Sequence, residues 1–166
     1  MNIFVLDLDH TQNAQYHVQT HVVKMPTEAA QMLSTVVRAN GISEGFNSTH
    51  PNHPCTKWAG HSIENWLWLR DYGLALEEEW RYRYGHSWAK NHKSCDVIRS
   101  LSVPKLPSRG LTPFALAMDD VFRSPDAVAS YRLFYQARKI HLANWGNRGE
   151  PLWWKQRSSL LTAQSL

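Results

Sequence analysis

Six polar side chains in the N-terminal third fall at helical spacing. His17, His21, Lys24, Glu28, Gln31 and Thr35 are separated by four, three, four, three and four residues. On a continuous helix this spacing puts imidazole, ammonium, carboxylate and carboxamide groups in one line. Those are the groups that acid–base and nucleophilic chemistry uses. Glu28 can activate a water or stabilise a cationic sugar. Lys24 can hold a phosphate or attack a carbon, and His21 can shuttle a proton. The same line also reads as the polar face of an ordinary amphipathic helix, with Lys24 and Glu28 as an i, i+4 ion pair. Pro26 falls between them and can bend or divide the helix.

Two further groups of residues carry chemistry. Asn52 and His53 sit between Pro51 and Pro54. The prolines stiffen that loop, which can hold both side chains over the first helix or simply staple the loop to itself. The run Val5-Leu6-Asp7-Leu8-Asp9-His10-Thr11 resembles the Asp-x-Asp-x-Thr pattern of haloacid-dehalogenase-type phosphatases. That likeness implies Asp7 as nucleophile, Asp9 as acid and a magnesium ion bridging to phosphate, with Asp119-Asp120 imitating a metal-binding pair. The phosphatase scaffold, however, needs several parallel strands, and the sequence offers one. The simpler expectation is an acidic start to the next helix. His17 and His21 could ligate a metal with His50 or His53. No Cys/His signature accompanies them, so neither a metal nor a cofactor is expected.

The composition suits a polyanionic partner. Net charge is +4, and eight Trp and six Tyr are many for 166 residues. The rings lie beside cations, as in Trp80-Arg81-Tyr82-Arg83-Tyr84 and Tyr131-Arg132-Leu133-Phe134-Tyr135. Mixed basic and aromatic faces stack bases and neutralise phosphates. Gln31, Asn52, His53, Trp58, Asn65, Arg83, Tyr131, Arg132, Tyr135 and Lys139 are therefore the candidate substrate-binding residues, for DNA or a nucleotide. The competing expectation is that most rings are core, with Arg and Lys reaching past them. Cys55 and Cys95 read as reduced thiols. The chain shows no signal peptide and no apolar run of membrane-spanning length, so a cytoplasmic protein is expected.

Positioning these residues requires mostly helices. Residues 2–8 read as one short strand, 11–39 as helix interrupted at Pro26, and 40–57 as loop. Ser62 caps a strong helix to residue 84, which Gly85 stops. A short helix covers 94–101, a Pro-rich loop 102–113 and a single turn 114–118. Ser124 caps a last helix, with Pro125 at its first position, running to about Trp145. Residues 146–154 read as irregular and about 155–166 as a frayed tail. The expected fold is mainly α, a single compact helical domain over residues 1–166 with one short N-terminal strand.

The full pattern resembles a family of small tailed-phage proteins. It runs through Gln15-Tyr16-His17, His21-Val22-Val23-Lys24-Met25, Asn52-His53-Pro54-Cys55, Arg83-Tyr84-Gly85 and Tyr131-Arg132 to Trp153. Departures include Val18-Gln19-Thr20, where that family tends to have Cys-Asp-Lys, and Pro26, where it has an aliphatic residue. This resemblance implies a phage origin and names no reaction. The order of features also resembles the pyrimidine-dimer DNA glycosylases: an extended N-terminus, a helix with basic residues and a glutamate, an aromatic helix, and an aromatic tail. Those enzymes attack with a processed N-terminal amine. Met1-Asn2 is a poor context for methionine removal, so the likeness is one of architecture. It implies Glu28 as the carboxylate, Lys24, Arg83 and Arg132 on phosphates, and Trp58, Trp66 or Tyr135 as stacking partners. The favoured expectation is thus a DNA- or nucleotide-acting enzyme that cleaves an N-glycosidic bond. A nucleotide or nucleotide-signal binding protein without catalysis, and a magnesium phosphatase using Asp7 and Asp9, are the alternatives.

Overall fold

The computed structural model describes residues 1–156. Six α-helices dominate it: α1 (His10–Tyr16), α2 (Gln19–Ala39), α3 (Pro54–Ala59), α4 (Ile63–Tyr84), α5 (Lys93–Ser100) and α6 (Ala127–Arg138). Short 3₁₀ turns lie before α6 at Asp120–Phe122 and after it at Ile140–Leu142 and Gly146–Arg148, and residues 152–156 are helical. No described helix is long and apolar enough to cross a membrane. The expected tail falls mainly on residues 157–166, which lie outside the described residues.

Helices α2 and α4 form the centre, and α5, α3 and α1 pack around them. Gly73 makes the close approach possible. A Cβ there would sit 3.3 Å from the Ala29 Cβ and 2.6 Å from Ile98 Cδ1. Further along, Trp66 Nε1 donates to Leu33 O at 3.5 Å. Helix α4 starts and stops as its sequence requires. Ser62 Oγ accepts from Asn65 N at 3.1 Å, and Gly85 takes the left-handed conformation at φ 64°, which costs glycine little.

The break in the first helical stretch lies elsewhere than expected. Asp9 caps α1 through Gln12 N at 2.8 Å. The chain then opens at His17 and Val18, both extended. Helix α2 begins at Gln19 and runs straight through Pro26, which is buried within it. His17 is therefore not on the helix that carries Lys24 and Glu28. Helix α6 starts later than expected, capped by Asp126 through Ala129 N at 3.0 Å, and it ends at Arg138. Ser124 Oγ bonds Ser130 Oγ at 2.9 Å instead.

The expected N-terminal strand is absent, and the described residues contain no strand. Residues 2–6 are buried and turn at Phe4, where φ is 33°, and side chains take the place of a neighbouring strand. Glu28 accepts from Asn2 N, Asn13 Oδ1 accepts from Leu6 N at 2.9 Å, and Arg132 Nε donates to Leu6 O at 2.8 Å. Asn2 Oδ1 accepts from Ile3 N and Phe4 N. A buried backbone must be satisfied by something. Helices surround this segment, so polar side chains reaching in from them do it.

Candidate active site

Asn2 folds the first residues onto α2. Its Nδ2 donates to Ala117 O at 2.9 Å, and its Oδ1 gathers two following amides. Phe4 pays with a positive φ of 33°, a conformation that is strained for a bulky residue. The Phe4 ring stacks on His21, centroids 4.6 Å apart and planes within 15°. The Met1 nitrogen is thereby brought 3.6 Å from Glu28 Oε2, which also accepts from Asn2 N at 2.9 Å. Lys24 Nζ holds the other oxygen, Oε1, at 3.1 Å. The Glu28 side chain is 10% exposed, whereas that of Lys24 is 67% exposed. A nearly buried carboxylate thus lies between two amines of very different accessibility. Thr56 Oγ1 contacts the Met1 sulfur at 3.7 Å and holds that side chain against α3.

His53 belongs to the same neighbourhood. Its Nδ1 accepts from Cys55 N, which caps α3 and leaves the ring proton on Nε2. Burial pushes its pKa down, as do the positive chain start and His50, while Glu28 opposes them. Asn52, next to it, is exposed. Cys55 is buried beneath, and burial raises its thiol to about 12.

His21 sits one turn before Lys24 in a different setting. Tyr135 Oη accepts from Val18 N at 3.2 Å and donates to His21 Nδ1 at 2.6 Å. Burial lowers His21 to about 3, assisted by Lys139, Lys24 and His141 in that order. His17 is likewise lowered to about 3, by burial first and by His21 next. It donates from Nδ1 to Asn13 O at 2.7 Å and accepts from Tyr72 Oη at 2.9 Å. Both rings are neutral near pH 7, and this geometry gives His21 a stacking and anchoring part where the sequence suggested a proton shuttle.

The remaining candidates divide between this site and the interior. Gln31 follows Glu28 on α2 and is half-buried. Lys139 holds its ammonium 5.8 Å from the Phe4 ring centroid and 5.6 Å from that of Phe134. Arg132 is half-buried; it bonds Leu6 O and pairs with Asp7 at 3.2 Å. Its guanidinium lies 5.3 Å from both the Tyr16 and Trp153 ring centroids. Trp58 packs against Trp68 and Phe114. Asn65 is fully buried, with Nδ2 donating to Trp58 O and Thr112 Oγ1. Tyr131 and Tyr135 are fully buried, and Tyr131 Oη donates to Ala115 O at 2.6 Å. Trp66 is fully buried too. Arg83 lies in the interior, bonded to Glu79 at 2.6 Å and to Gln15 O. Trp58, Asn65, Trp66, Arg83, Tyr131 and Tyr135 thus serve the core of this structure, and none of them presents a face for a base or a phosphate.

Asp7 and Asp9 do not form a nucleophile–acid pair. Asp9 is the α1 cap, and Asp7 accepts from Asp9 N at 3.0 Å and pairs with Arg132. Asp119 pairs with Arg138. With no strand among the described residues, the phosphatase scaffold is missing as well.

Helical periodicity alone missed Met1, Asn2, Phe4 and Thr56. A polar Asn2 inside the apolar run Met1–Leu6 was the available signal, because a buried carboxamide needs partners. The assembled groups supply an amine for attack on an electrophilic carbon and a carboxylate to take its proton or face a developing cation. A family profile described as pyrimidine dimer DNA glycosylase matches residues 1–93, the stretch that holds Met1, Asn2, His21, Lys24, Glu28 and His53. No curated protein and no solved structure matches the chain.

Proposed function

Because the chain belongs to the pyrimidine dimer DNA glycosylase family, we propose that it cleaves the N-glycosidic bond of a damaged pyrimidine in DNA, using the Met1 amine and Glu28. The amine lone pair attacks the anomeric carbon. The C1′–N bond breaks, and its electron pair leaves with the base, which takes up a proton. The attacking nitrogen gives a proton to Glu28, and opening of the sugar leaves an iminium between protein and DNA. Glu28 also faces the positive charge that develops on the sugar, where a fixed carboxylate stabilises the transition state.

The observation that carries this reading is the 3.6 Å approach of the Met1 nitrogen to Glu28 Oε2. The Met1 residue is anchored through Asn2 and Thr56, whereas the Lys24 side chain is 67% exposed. That fixed placement favours Met1 over Lys24 as the nucleophile. Lys24 and Lys139 hold phosphates on either side of the attacked nucleotide. His21 positions the N-terminal segment through Phe4, and Asn52 and His53 close over the sugar.

The test is reductive trapping. Borohydride added during reaction with duplex DNA carrying a cyclobutane pyrimidine dimer reduces an iminium to a stable amine and links protein to DNA. The wild-type chain is expected to be trapped, and Glu28→Gln and N-acetylated protein are not. Trapping that persists after N-acetylation rules out the amine.

A further inference from the structure

Helix α6 breaks the usual rule for a surface helix. Its outward line, Ala129, Leu133, Ala137 and then Ile140 on the following turn, is exposed at every position. Leu133 is 49% and Ile140 51% exposed. A helix that packs one face on a core normally turns a polar face to water, and single exposed apolar residues are common enough to need no explanation. An unbroken apolar line is different. Its inner face carries the buried Ser130, Tyr131 and Tyr135, and the outer line lies away from that face.

The end of that line adjoins the candidate site. Ile140 opens the 3₁₀ turn Ile140–Leu142 directly after Lys139. The Lys139 ammonium lies over the Phe4 ring, and Phe4 is stacked on His21, one turn from Lys24. Lys139 and Lys24 both act on His21, so two lysines flank that ring. An exposed branched aliphatic side chain thus directly follows the lysine that lies over Phe4, and Phe4 is the ring that ties the N-terminal segment to His21. Proteins that kink a duplex insert an apolar wedge between base steps while cations hold the phosphates.

We propose that Ile140 is a wedge that enters the DNA stack next to the attacked nucleotide, with Leu133 and Ala137 lying along the groove behind it. This rests on the DNA-glycosylase reading and adds how the sugar becomes reachable. A base pair inside a regular stack hides its C1′ from a protein amine, and unstacking one step exposes it.

The experiment uses the full chain, wild type and Ile140→Ala and Ile140→Met variants, with two probes. One is a duplex with an abasic site beside 2-aminopurine, whose fluorescence rises when it is unstacked. The other is the single-stranded form of the same abasic oligonucleotide, which needs no wedge. Wild type is expected to raise the fluorescence. Ile140→Ala should lose that rise and be trapped by borohydride on the duplex roughly ten-fold more slowly, the order expected for losing an inserted side chain. Its trapping on the single strand should be unchanged, and Ile140→Met should restore both duplex signals. Equal behaviour of Ile140→Ala and wild type on the duplex overturns the wedge, as does equal slowing on both DNAs. A self-associating wild-type chain that Ile140→Ala makes monomeric assigns the line to a second copy and also overturns it. If wild type is trapped on neither DNA, the glycosidic reading fails, while the fluorescence rise and its loss in Ile140→Ala still decide the wedge.

Discussion

Glu28 and Glu79 are both buried carboxylates on long helices, and they are held in opposite ways. Glu79 on α4 is gripped by two guanidiniums: Arg83 at 2.6 Å, and Arg148 through Nε at 3.0 Å and Nη2 at 2.7 Å. Glu77, two residues away, is fully buried with Arg81 at 3.1 Å, Arg99 and the His92 amide. Guanidiniums stay charged and present fixed forks of donors, so these acids are saturated. Glu28 is held by one backbone amide and two amines. Amines lose protons and attack carbon, whereas guanidiniums do neither. The partner, more than burial or spacing, separates a carboxylate that braces the fold from one that can take part in a reaction.

The largest effect should come from breaking each acid in turn. Glu28→Gln keeps the shape and the acceptor for Asn2 N. It should lower trapping and base release by on the order of a thousand-fold, the scale of a lost acid–base group, with little change in the denaturation midpoint. Glu79→Gln should do the reverse. Removing one partner of a buried ion pair typically costs about 3–5 kcal/mol, and here Arg83 and Arg148 are both left uncompensated. Urea melts read that loss, and activity per folded molecule should hold. If Glu79→Gln kills activity without loss of stability, the contrast between the two acids collapses.

A smaller effect follows from pH. His17 and His21 both stand near 3 in the folded chain, against an ordinary 6.5. The unfolded chain therefore binds more protons between these values, and stability falls as pH drops from 6.5 toward 3. Above 6.5 both forms are neutral and the contribution is fully present. Urea midpoints across that window should show it, and His17→Gln should flatten part of the slope.

The smallest effect belongs to Lys24. Lys24→Met leaves the amine beside Glu28 in place, so trapping should persist. DNA binding should weaken about equally for all sequences, with the salt dependence reduced by about one unit of slope. Binding measured across a salt series reads this.

The sequence made the helices and half of the site legible. Ser62 and Gly85 marked α4 because a cap and a left-handed stop are local chemistry. Lys24 and Glu28 could be placed on one face because the helical period is local too. The amine could not be found this way. It reaches Glu28 because Glu28, Asn13 and Arg132 satisfy the backbone of residues 2–6 from other elements, and Asn2 was the one local hint of that. At Trp80–Tyr84 the deciding signal was local and lay one turn earlier in the sequence. Arg81 and Arg83 look like a basic face in sequence, but Glu77 and Glu79 on the same helix turn both inward. The role of a charged residue is set by its partners, whether one helical turn away, as for Arg81 and Arg83, or in another element, as for Glu28 and the Met1 nitrogen.

The decisive chemical fact is which nitrogen meets the sugar. Wild-type protein trapped by borohydride on dimer-containing duplex can be digested and the DNA-modified peptide identified by mass. The modification should fall on the α-nitrogen of Met1. A modification on the Lys24 side chain would contradict the assignment of the nucleophile.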